Sequence, residues 1–256
     1  MLSGKEGEIS EDLEIEKSVR GDDIMLTIDR NIEEKGEKII NELIQKYSAQ
    51  AASFIVMEPS TGKILAMGAT PNFNPNSYSE YDVKNFLNTS VQSIYEPGSI
   101  FKVLTMAAAL DSGVVTPNDT YEDKGSLTYN GRTIKNWDLL AHGTMTMTNV
   151  IEKSLNTGAA YAERRLGHKN FYNYLVNFGL NDITKVTLPG ELKGSLAPIQ
   201  SEKSADINFV TASYGQGISV TPLALINAVS VLANKGNLMK PFINQNDSPT
   251  LVRKVI

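Results

Sequence analysis

The chain has 256 residues, of which 41% are hydrophobic and 21% charged, and its formal net charge at pH 7 is -5. This composition is typical of a globular protein with one large core or two modest ones. An acidic balance argues against a nucleic-acid partner, since nucleic acids select basic surfaces. The chain has no cysteine and only two histidines, His142 and His168, so we predict neither a metal site nor a cofactor.

The N-terminal part of the chain divides into two regions. Residues 1–22 carry many charges and few large apolar residues, which predicts a linker or the end of a preceding domain, followed by a domain over residues 23–256. A short apolar run at 24–28 leads to Asp29, a residue type that caps helices, and then to apolar residues at helical spacing. This pattern predicts a helix that begins after Asp29 and ends near Tyr47.

The next segment has the pattern of a β-hairpin. Apolar runs at 53–57 and 63–67 flank a turn that contains Pro59 and Gly62. From Tyr95 to about residue 236 the apolar spacing indicates mainly helices. The expected order is therefore a helix, a hairpin and then a mostly helical region.

A helix that is apolar on nearly every side begins after the breaker Glu-Pro-Gly at 96–98 and ends near Gly113. Such a helix is typical of a protein interior, and Lys102 is the exception in its sequence. Ser99 lies one helical turn before Lys102, so the two side chains share a face and can form a hydrogen bond. Burial would lower the pKa of Lys102, and its neutral amine could then accept the serine proton. Ser99 is therefore a candidate nucleophile and Lys102 its candidate base.

A Ser-x-x-Lys pattern is weak on its own, and the chain holds a second copy at Ser60 and Lys63. That copy falls in the predicted hairpin turn, where the lysine would be solvated and the spacing does not align the two side chains. We therefore expect a structural role for Ser60 and Lys63, and this pair provides an internal comparison for Ser99 and Lys102.

Ser154 and Asn156 form a second candidate pair in the motif Ser-Leu-Asn. They fall in a predicted helix that Thr148 would cap and that would end near Gly158. A Ser-x-Asn sequence is common, and polar residues near a helix end often bond to free carbonyl groups. The local pattern alone therefore favours a structural role.

Three residues of rarer types are expected to have structural roles. Trp137 is predicted to lie in the core. His142 and His168 are predicted to lie in loops and not to act as general bases.

Taken together, Tyr-Glu-Pro-Gly-Ser-Ile-Phe-Lys at 95–102 and Ser-Leu-Asn at 154–156 resemble the first two active-site motifs of penicillin-binding transpeptidases. Further stretches resemble landmarks of this family in the same order, at 23–29, 61–67, 188–191 and 215–223. The resemblance covers roughly residues 23–242 and is closest to the division-type class B synthases. It implies an α/β (α+β) fold of the β-lactamase/transpeptidase type, with a mostly helical lobe and the N-terminal helix and hairpin of an antiparallel sheet.

The resemblance also implies a peptidoglycan D,D-transpeptidase that needs no cofactor. Ser99 would attack the peptide carbonyl of a D-alanyl-D-alanine stem, Lys102 would act as base, Ser154 would relay protons and Asn156 would orient the substrate. An amine from a neighbouring stem would resolve the acyl-enzyme, and β-lactams would trap Ser99. The implied partners are the stem peptide, β-lactams and other cell-wall synthases, at the extracytoplasmic face of the membrane to which the parent protein is anchored.

One departure from the family pattern is large. The third family motif, Lys-Thr-Gly or a close variant, should follow the stretch at 215–223, yet residues 238–256 contain no such triplet. With that motif would go a sheet-edge strand and one of two oxyanion-hole donors, a loss of roughly a hundred- to a thousandfold in rate. We therefore expect a fragment of a longer, membrane-anchored enzyme that keeps chiefly the hairpin of the family sheet.

Two alternatives to a transpeptidase stay open. The first is a non-catalytic scaffold or binding module that keeps the fold and docks peptidoglycan or division partners, which the absence of the third motif would explain. The second is a D,D-carboxypeptidase or a serine β-lactamase, which shares the motifs but resolves the acyl-enzyme with water.

Overall fold

The computed structural model describes residues 21–256, and the linker expected at 1–22 lies almost wholly outside them. Helix α1 (Arg30–Tyr47) begins after Asp29, whose carboxylate accepts hydrogen bonds from two backbone N–H groups of the first turn at 2.9 and 3.2 Å. Such bonds satisfy N–H groups that a helix leaves free at its start. The predicted start and end of this helix are confirmed.

Strands β1 (Ala52–Glu58) and β2 (Lys63–Thr70) form the predicted antiparallel hairpin, and α1 packs against both. The turn closes where the N–H of Gly62 donates to the carbonyl of Glu58 at 2.9 Å. Gly62 has a φ of 81°, which a residue without a side chain adopts readily. The outer edge of β2 is bridged by Phe242, whereas the outer edge of β1 has no strand partner within the described part of the chain.

Four short strands interrupt the region predicted as mainly helical. Strand β3 (Thr120–Asp123) pairs with β6 (Gly143–Thr146), and β4 (Ser126–Tyr129) pairs with β5 (Arg132–Lys135), both antiparallel. The prediction of mainly helices is therefore wrong between residues 120 and 146. The local signal is the dipeptide Asn130-Gly131 between β4 and β5, where both residues have positive φ, 48° and 73°, as a two-residue hairpin turn requires.

Helix α3 (Lys102–Asp111) is in contact with four of the remaining helices. In chain order the remaining helices are α2 (Thr89–Gln92), α4 (Met147–Glu152), α5 (Asn156–Leu166), α6 (His168–Asn177), α7 (Asp206–Ala212) and α8 (Pro222–Ala233). Short 3-10 turns occupy Pro75–Glu80, Val83–Phe86, Gly98–Phe101 and Ala197–Ile199. A further strand pair, β7 (Asn237–Met239) with β8 (Leu251–Lys254), begins beside α8.

Helix α3 lies in the main hydrophobic core and contacts α5, α6 and α8. Around its start pack four fully buried side chains, those of Phe101, Leu104, Phe171 and Phe209. A helix with apolar residues on every side must be covered on every side, as predicted for this segment. The helical lobe therefore encloses the start of α3. No helix within residues 21–256 has the length and apolar character needed to cross a bilayer.

We predict that Phe171→Ala lowers the free energy of unfolding by about 3–5 kcal/mol, because the ring is 0% exposed and its removal leaves a cavity in the main core. The matched control is Phe86→Ala, which removes a ring that is 39% exposed and should cost about 1 kcal/mol. Denaturant titration of both variants checks this. Equal losses in the two variants would contradict the placement of the core.

Candidate active site

Ser99 lies in the 3-10 turn Gly98–Phe101, which leads directly into α3. Gly98 enters the turn with a φ of 64°, in the left-handed region that favours glycine. Phe101 is fully buried and anchors the turn in the core, while Ser99 itself is exposed. Ser99 is therefore accessible from solvent, while the turn that contains it is anchored in the core.

The amine of Lys102 meets the hydroxyl of Ser99 across one helical turn. Lys102 Nζ donates to Ser99 Oγ at 3.0 Å, and the Lys102 side chain reaches it from within the core, with the residue only 2% exposed. The spacing of these two residues predicted this contact. The pair combines an accessible hydroxyl with a nearly dry amine, which is the arrangement required to activate a serine.

Ser154 supplies two more acceptors for the same amine. Lys102 Nζ donates to the backbone carbonyl of Ser154 at 2.6 Å and to its Oγ at 3.0 Å. All three acceptors of the amine are neutral oxygens of Ser99 and Ser154. The two sequence motifs that are 52 residues apart thus meet at one nitrogen atom.

Burial lowers the pKa of Lys102 from its ordinary value of 10.5 to about 8, because the ammonium form loses its hydration. At pH 7 roughly one molecule in ten would therefore hold a neutral amine, compared with fewer than one in a thousand for a solvated lysine. The site can accordingly provide a base near neutral pH.

The helix predicted around Ser154 and Asn156 is two helices, so that prediction is wrong. Helix α4 ends at Glu152 and α5 begins at Asn156, which leaves Ser154 in the break between them. Ser154 has a left-handed φ of 55°, which is uncommon for a residue other than glycine. In this conformation both oxygens of Ser154 lie within hydrogen-bond distance of Lys102 Nζ.

The boundaries expected for that helix also differ from those in the structure. Thr146, and not Thr148, caps α4, accepting a hydrogen bond from the N–H of Asn149 at 3.1 Å. Gly158 lies inside α5, where an added Cβ would overlap with the side chain of Val150. The glycine therefore allows α4 and α5 to pack closely and does not end a helix.

Asn156 is the first residue of α5, and its side-chain amide donates to the carbonyl of Lys135 at 2.8 Å. Within the described residues this amide bonds to the end of β5 and not to Ser99 or Lys102. The structure thus brings three of the four predicted site residues into direct contact. The fourth, Asn156, stands two positions from Ser154 and is partly exposed.

Gly215 and Gly217 hold the Ser99 turn in place through two hydrogen bonds. The N–H of Gly98 donates to the carbonyl of Gly215 at 2.9 Å, and the N–H of Gly217 donates to the carboxylate of Glu96 at 2.9 Å. Gly215 has a φ of 80°, and an added Cβ there would overlap with the backbone of Gly98. This supporting role of the Gly-Gln-Gly stretch is not among the roles predicted from the sequence.

The second Ser-x-x-Lys copy lacks the geometry of the first. Ser60 is exposed in the hairpin turn, and Lys63 is the first residue of β2, where it pairs with Glu58. The two residues are therefore not on one helical face. A cavity of about 650 Å³ lies between β1 and α8 and is lined by Ile100 but by neither Ser99 nor Lys102.

The rarer residues are placed differently from the predictions in two of three cases. Trp137 is 70% exposed and not in the core, and its indole N–H donates to the carbonyl of Lys153 at 3.0 Å. His168 is the first residue of α6 and not a loop residue, and its Nδ1 lies 2.7 Å from the carboxylate of buried Glu163. His142 lies in the loop between β5 and β6, as predicted.

We predict that Lys102→Met raises the free energy of unfolding at pH 7 by about 1–3 kcal/mol. The folded state binds this proton less tightly than the unfolded chain, so the penalty is full below about pH 8 and disappears as the pH rises to about 10.5. Three lost hydrogen bonds offset part of the gain. Denaturant titrations at pH 7 and pH 10 test this, with Lys63→Met as the control that changes little at either pH. A stability difference between the wild type and Lys102→Met that is the same at pH 7 and at pH 10 would contradict a lowered pKa of Lys102.

Comparisons with known proteins agree with this geometry. Residues 52–256 match the family described as penicillin binding protein transpeptidase domain. The chain is 33% identical over 238 residues to stage V sporulation protein D of Bacillus subtilis strain 168. This alignment covers 92% of this chain and 36% of that protein. It is 29% identical over 245 residues to the peptidoglycan D,D-transpeptidase FtsI of Escherichia coli K12. This second alignment covers 95% of this chain and 40% of that protein.

Solved structures show the same fold. The apo structure of the TP domain from Burkholderia pseudomallei penicillin-binding protein 3 has a TM-score of 0.78 and 29% identity, over 90% of this chain and 65% of that one. The predicted α/β transpeptidase-like fold class is thereby confirmed. The chain spans less than half the length of the two curated relatives named above. With its fold, its sequence and the meeting of both motifs at one lysine in agreement, the chain belongs to the penicillin-binding protein transpeptidase domain family.

Proposed function

We propose that this chain carries the acyl-transfer chemistry of a peptidoglycan D,D-transpeptidase, with the domain extending over residues 23–256. The observation that carries the proposal is the hydrogen bond of 3.0 Å between Lys102 Nζ and Ser99 Oγ, made by an amine that is almost fully buried. Ser99 is the nucleophile, Lys102 the base, Ser154 a proton relay and Asn156 a residue that orients the substrate.

In the first step the neutral amine of Lys102 accepts the proton of Ser99 as Oγ attacks the carbonyl carbon of the penultimate D-alanine. The bond between Oγ and that carbon forms, and the carbonyl electrons move to its oxygen. The resulting ammonium is stabilised where it forms by both oxygens of Ser154, at 2.6 and 3.0 Å. Because these acceptors are already in place, little reorganisation accompanies the proton transfer.

In the second step the oxyanion collapses and the peptide bond to the terminal D-alanine breaks. The leaving nitrogen takes a proton that Ser154 passes from Lys102, since Ser154 Oγ lies at 3.0 Å from Nζ. The product is an ester between Ser99 and the stem peptide. An amine from a neighbouring stem then attacks the ester carbon and loses a proton to Lys102. The new amide bond forms as the bond from this carbon to Ser99 Oγ breaks, and Lys102 returns the proton to Oγ.

The tetrahedral intermediate needs N–H donors at its oxyanion. The backbone N–H of Ser99, at the start of a 3-10 turn, is one such donor. The family's second donor accompanies the Lys-Thr-Gly motif, which residues 238–256 do not contain. Loss of one such donor typically costs roughly a hundred- to a thousandfold in rate, so the N–H of Ser99 should contribute substantially to acylation.

The proposed substrate is a stem peptide ending in D-alanyl-D-alanine, and the proposed covalent inhibitors are β-lactams, which present a strained amide to the same serine. This assignment follows the name of the FtsI relative, which is a peptidoglycan D,D-transpeptidase. The proposed location is the extracytoplasmic face of the membrane, where peptidoglycan is built, and other cell-wall synthases are proposed partners.

A second candidate function is a scaffold that binds peptidoglycan or division partners without catalysis. The side chain of Asn156 favours it, because its amide donates to the carbonyl of Lys135 and not to Ser99 or Lys102. The two functions differ in what they require of Ser99, because a scaffold does not need a reactive hydroxyl.

We predict that a fluorescent penicillin forms a covalent adduct with this chain at Ser99. Intact-mass spectrometry and peptide mapping would locate the adduct after long incubation. Ser99→Ala should abolish labelling, and Lys102→Met should reduce it by at least about a hundredfold, because general-base catalysis is lost. Ser60→Ala, in the second Ser-x-x-Lys copy, should label like the wild type.

Three outcomes of this labelling experiment discriminate among the functions. Absence of any adduct in the wild-type chain would contradict acylation and favour the scaffold. An adduct that survives in Ser99→Ala would place the nucleophile elsewhere. Rapid release of the label as hydrolysed penicillin would indicate a β-lactamase.

We also predict that the rate constant of acylation rises with pH and reaches half its maximum near pH 8. Only the neutral amine accepts the serine proton, and the pKa of Lys102 is lowered to about 8 by burial. Time courses of penicillin labelling between pH 6 and roughly pH 9.5 would measure this profile. A rate constant that does not change across this range would contradict Lys102 as the base.

A further inference from the structure

The first turn of α5 is not capped by the residue at its own N-cap position. The N-cap position is Leu155, whose side chain has no acceptor for the free N–H groups of the helix start. Instead, the N–H of Thr157 donates to the side-chain oxygen of Asn136 at 3.2 Å. A residue just beyond β5 thus caps the helix that follows Ser154.

Asn136 is held so that its oxygen faces α5. It is 1% exposed, and its backbone N–H donates to the carbonyl of Gly125 at 3.1 Å. Its side-chain amide donates to both carboxylate oxygens of Asp123 at 3.1 and 2.9 Å. A flipped amide would turn N–H groups toward the N–H of Thr157, so the hydrogen-bond network fixes the orientation.

The carboxylate of Asp123 holds the cap in place through hydrogen bonds. Burial would raise the pKa of Asp123, but hydrogen bonds from Gly125, Thr157, His142 and Asn136 together lower it below the ordinary range. The hydroxyl of Thr157 donates to the carboxylate at 2.8 Å, and His142 Nδ1 lies at 2.7 Å from it. A carboxylate near the start of α5 also interacts favourably with the helix dipole.

Three consecutive residues at the end of β5 form hydrogen bonds with residues on both sides of Ser154. The carbonyl of Lys135 accepts from the side chain of Asn156 at 2.8 Å, and Asn136 accepts from Thr157. The indole of Trp137 donates to the carbonyl of Lys153, immediately before Ser154, at 3.0 Å. The chain is therefore tied down on both sides of a residue whose left-handed φ of 55° is intrinsically disfavoured.

We infer that Asn136 is a positioning residue for the candidate active site: it caps α5 from a neighbouring strand end and thereby fixes the turn that presents both oxygens of Ser154 to Lys102. Its catalytic consequence rests on the proposed acylation of Ser99. The positioning itself concerns only the surroundings of the Lys102 amine and is measurable without catalysis.

The first test measures the titration midpoint of Lys102 by NMR in protein labelled at the lysine ε-carbon, with Lys102→Met identifying the signal. Without the cap the turn loosens, water reaches the amine, and in Asn136→Ala the midpoint should move from about 8 toward 10.5, by about one unit or more. Asp29→Ala is the matched control, because it removes the cap of α1, which lies outside the site. That variant should lose stability but keep the midpoint.

A second variant guards against misfolding of Asn136→Ala. Trp137→Phe removes the bond to Lys153 at a residue that is largely exposed, so the fold should be retained, and it should shift the Lys102 midpoint in the same direction by a smaller amount. A folded Asn136→Ala, or a Trp137→Phe if the former does not fold, with an unchanged midpoint would overturn the inference.

The second test compares penicillin labelling rates. Asn136→Ala should acylate on the order of tenfold to a hundredfold more slowly than the wild type, because Lys102 and Ser154 are displaced. Its pH profile should shift upward together with the NMR midpoint, whereas Asp29→Ala should keep the wild-type profile. If the wild type is not labelled at all but the midpoint still moves in Asn136→Ala, the proposed function fails and the positioning role stands.

Discussion

Removing a lysine amine from water destabilises its charged form. The surroundings of Lys102 make this destabilisation intermediate in size. Full solvation would leave the group protonated at neutral pH, whereas an apolar pocket without acceptors would leave it neutral but poorly aligned. Three neutral oxygens, from Ser99 and Ser154, satisfy the amine without supplying a counter-charge. The rest of the helical lobe is arranged to keep these atoms together and water away.

Helix α3 provides one half of this arrangement and the break between α4 and α5 provides the other. Phe101 and Leu104 fix the start of α3 in the core, and the hydroxyl of Thr105 donates to the carbonyl of Ser213 at 2.8 Å. The break is fixed by contacts with the end of β5. Because both halves are carried on packed elements and not on free loops, their relative position is a property of the core.

The sequence was informative where structure is local. The cap at Asp29, the hairpin, and the one-turn separation of Ser99 from Lys102 all follow from spacing and residue type. The break at Ser154 did not, since its conformation depends on bonds from Lys135, Asn136 and Trp137, which only the strand pairs bring near. Those strands were themselves missed, although Asn130-Gly131 signals their turn. Trp137 was placed in the core on residue type alone, whereas its polar neighbour Asn136 holds the buried position.

The contact between Gly98 and Gly215 joins two backbones with no side chain between them. Any larger residue at position 215 would push the entire serine-bearing segment, because a main chain cannot rotate away as a side chain can. Position 215 should therefore tolerate few substitutions, because a change there displaces the segment that carries Ser99, whereas an exposed side chain can adjust to its neighbours without moving the main chain.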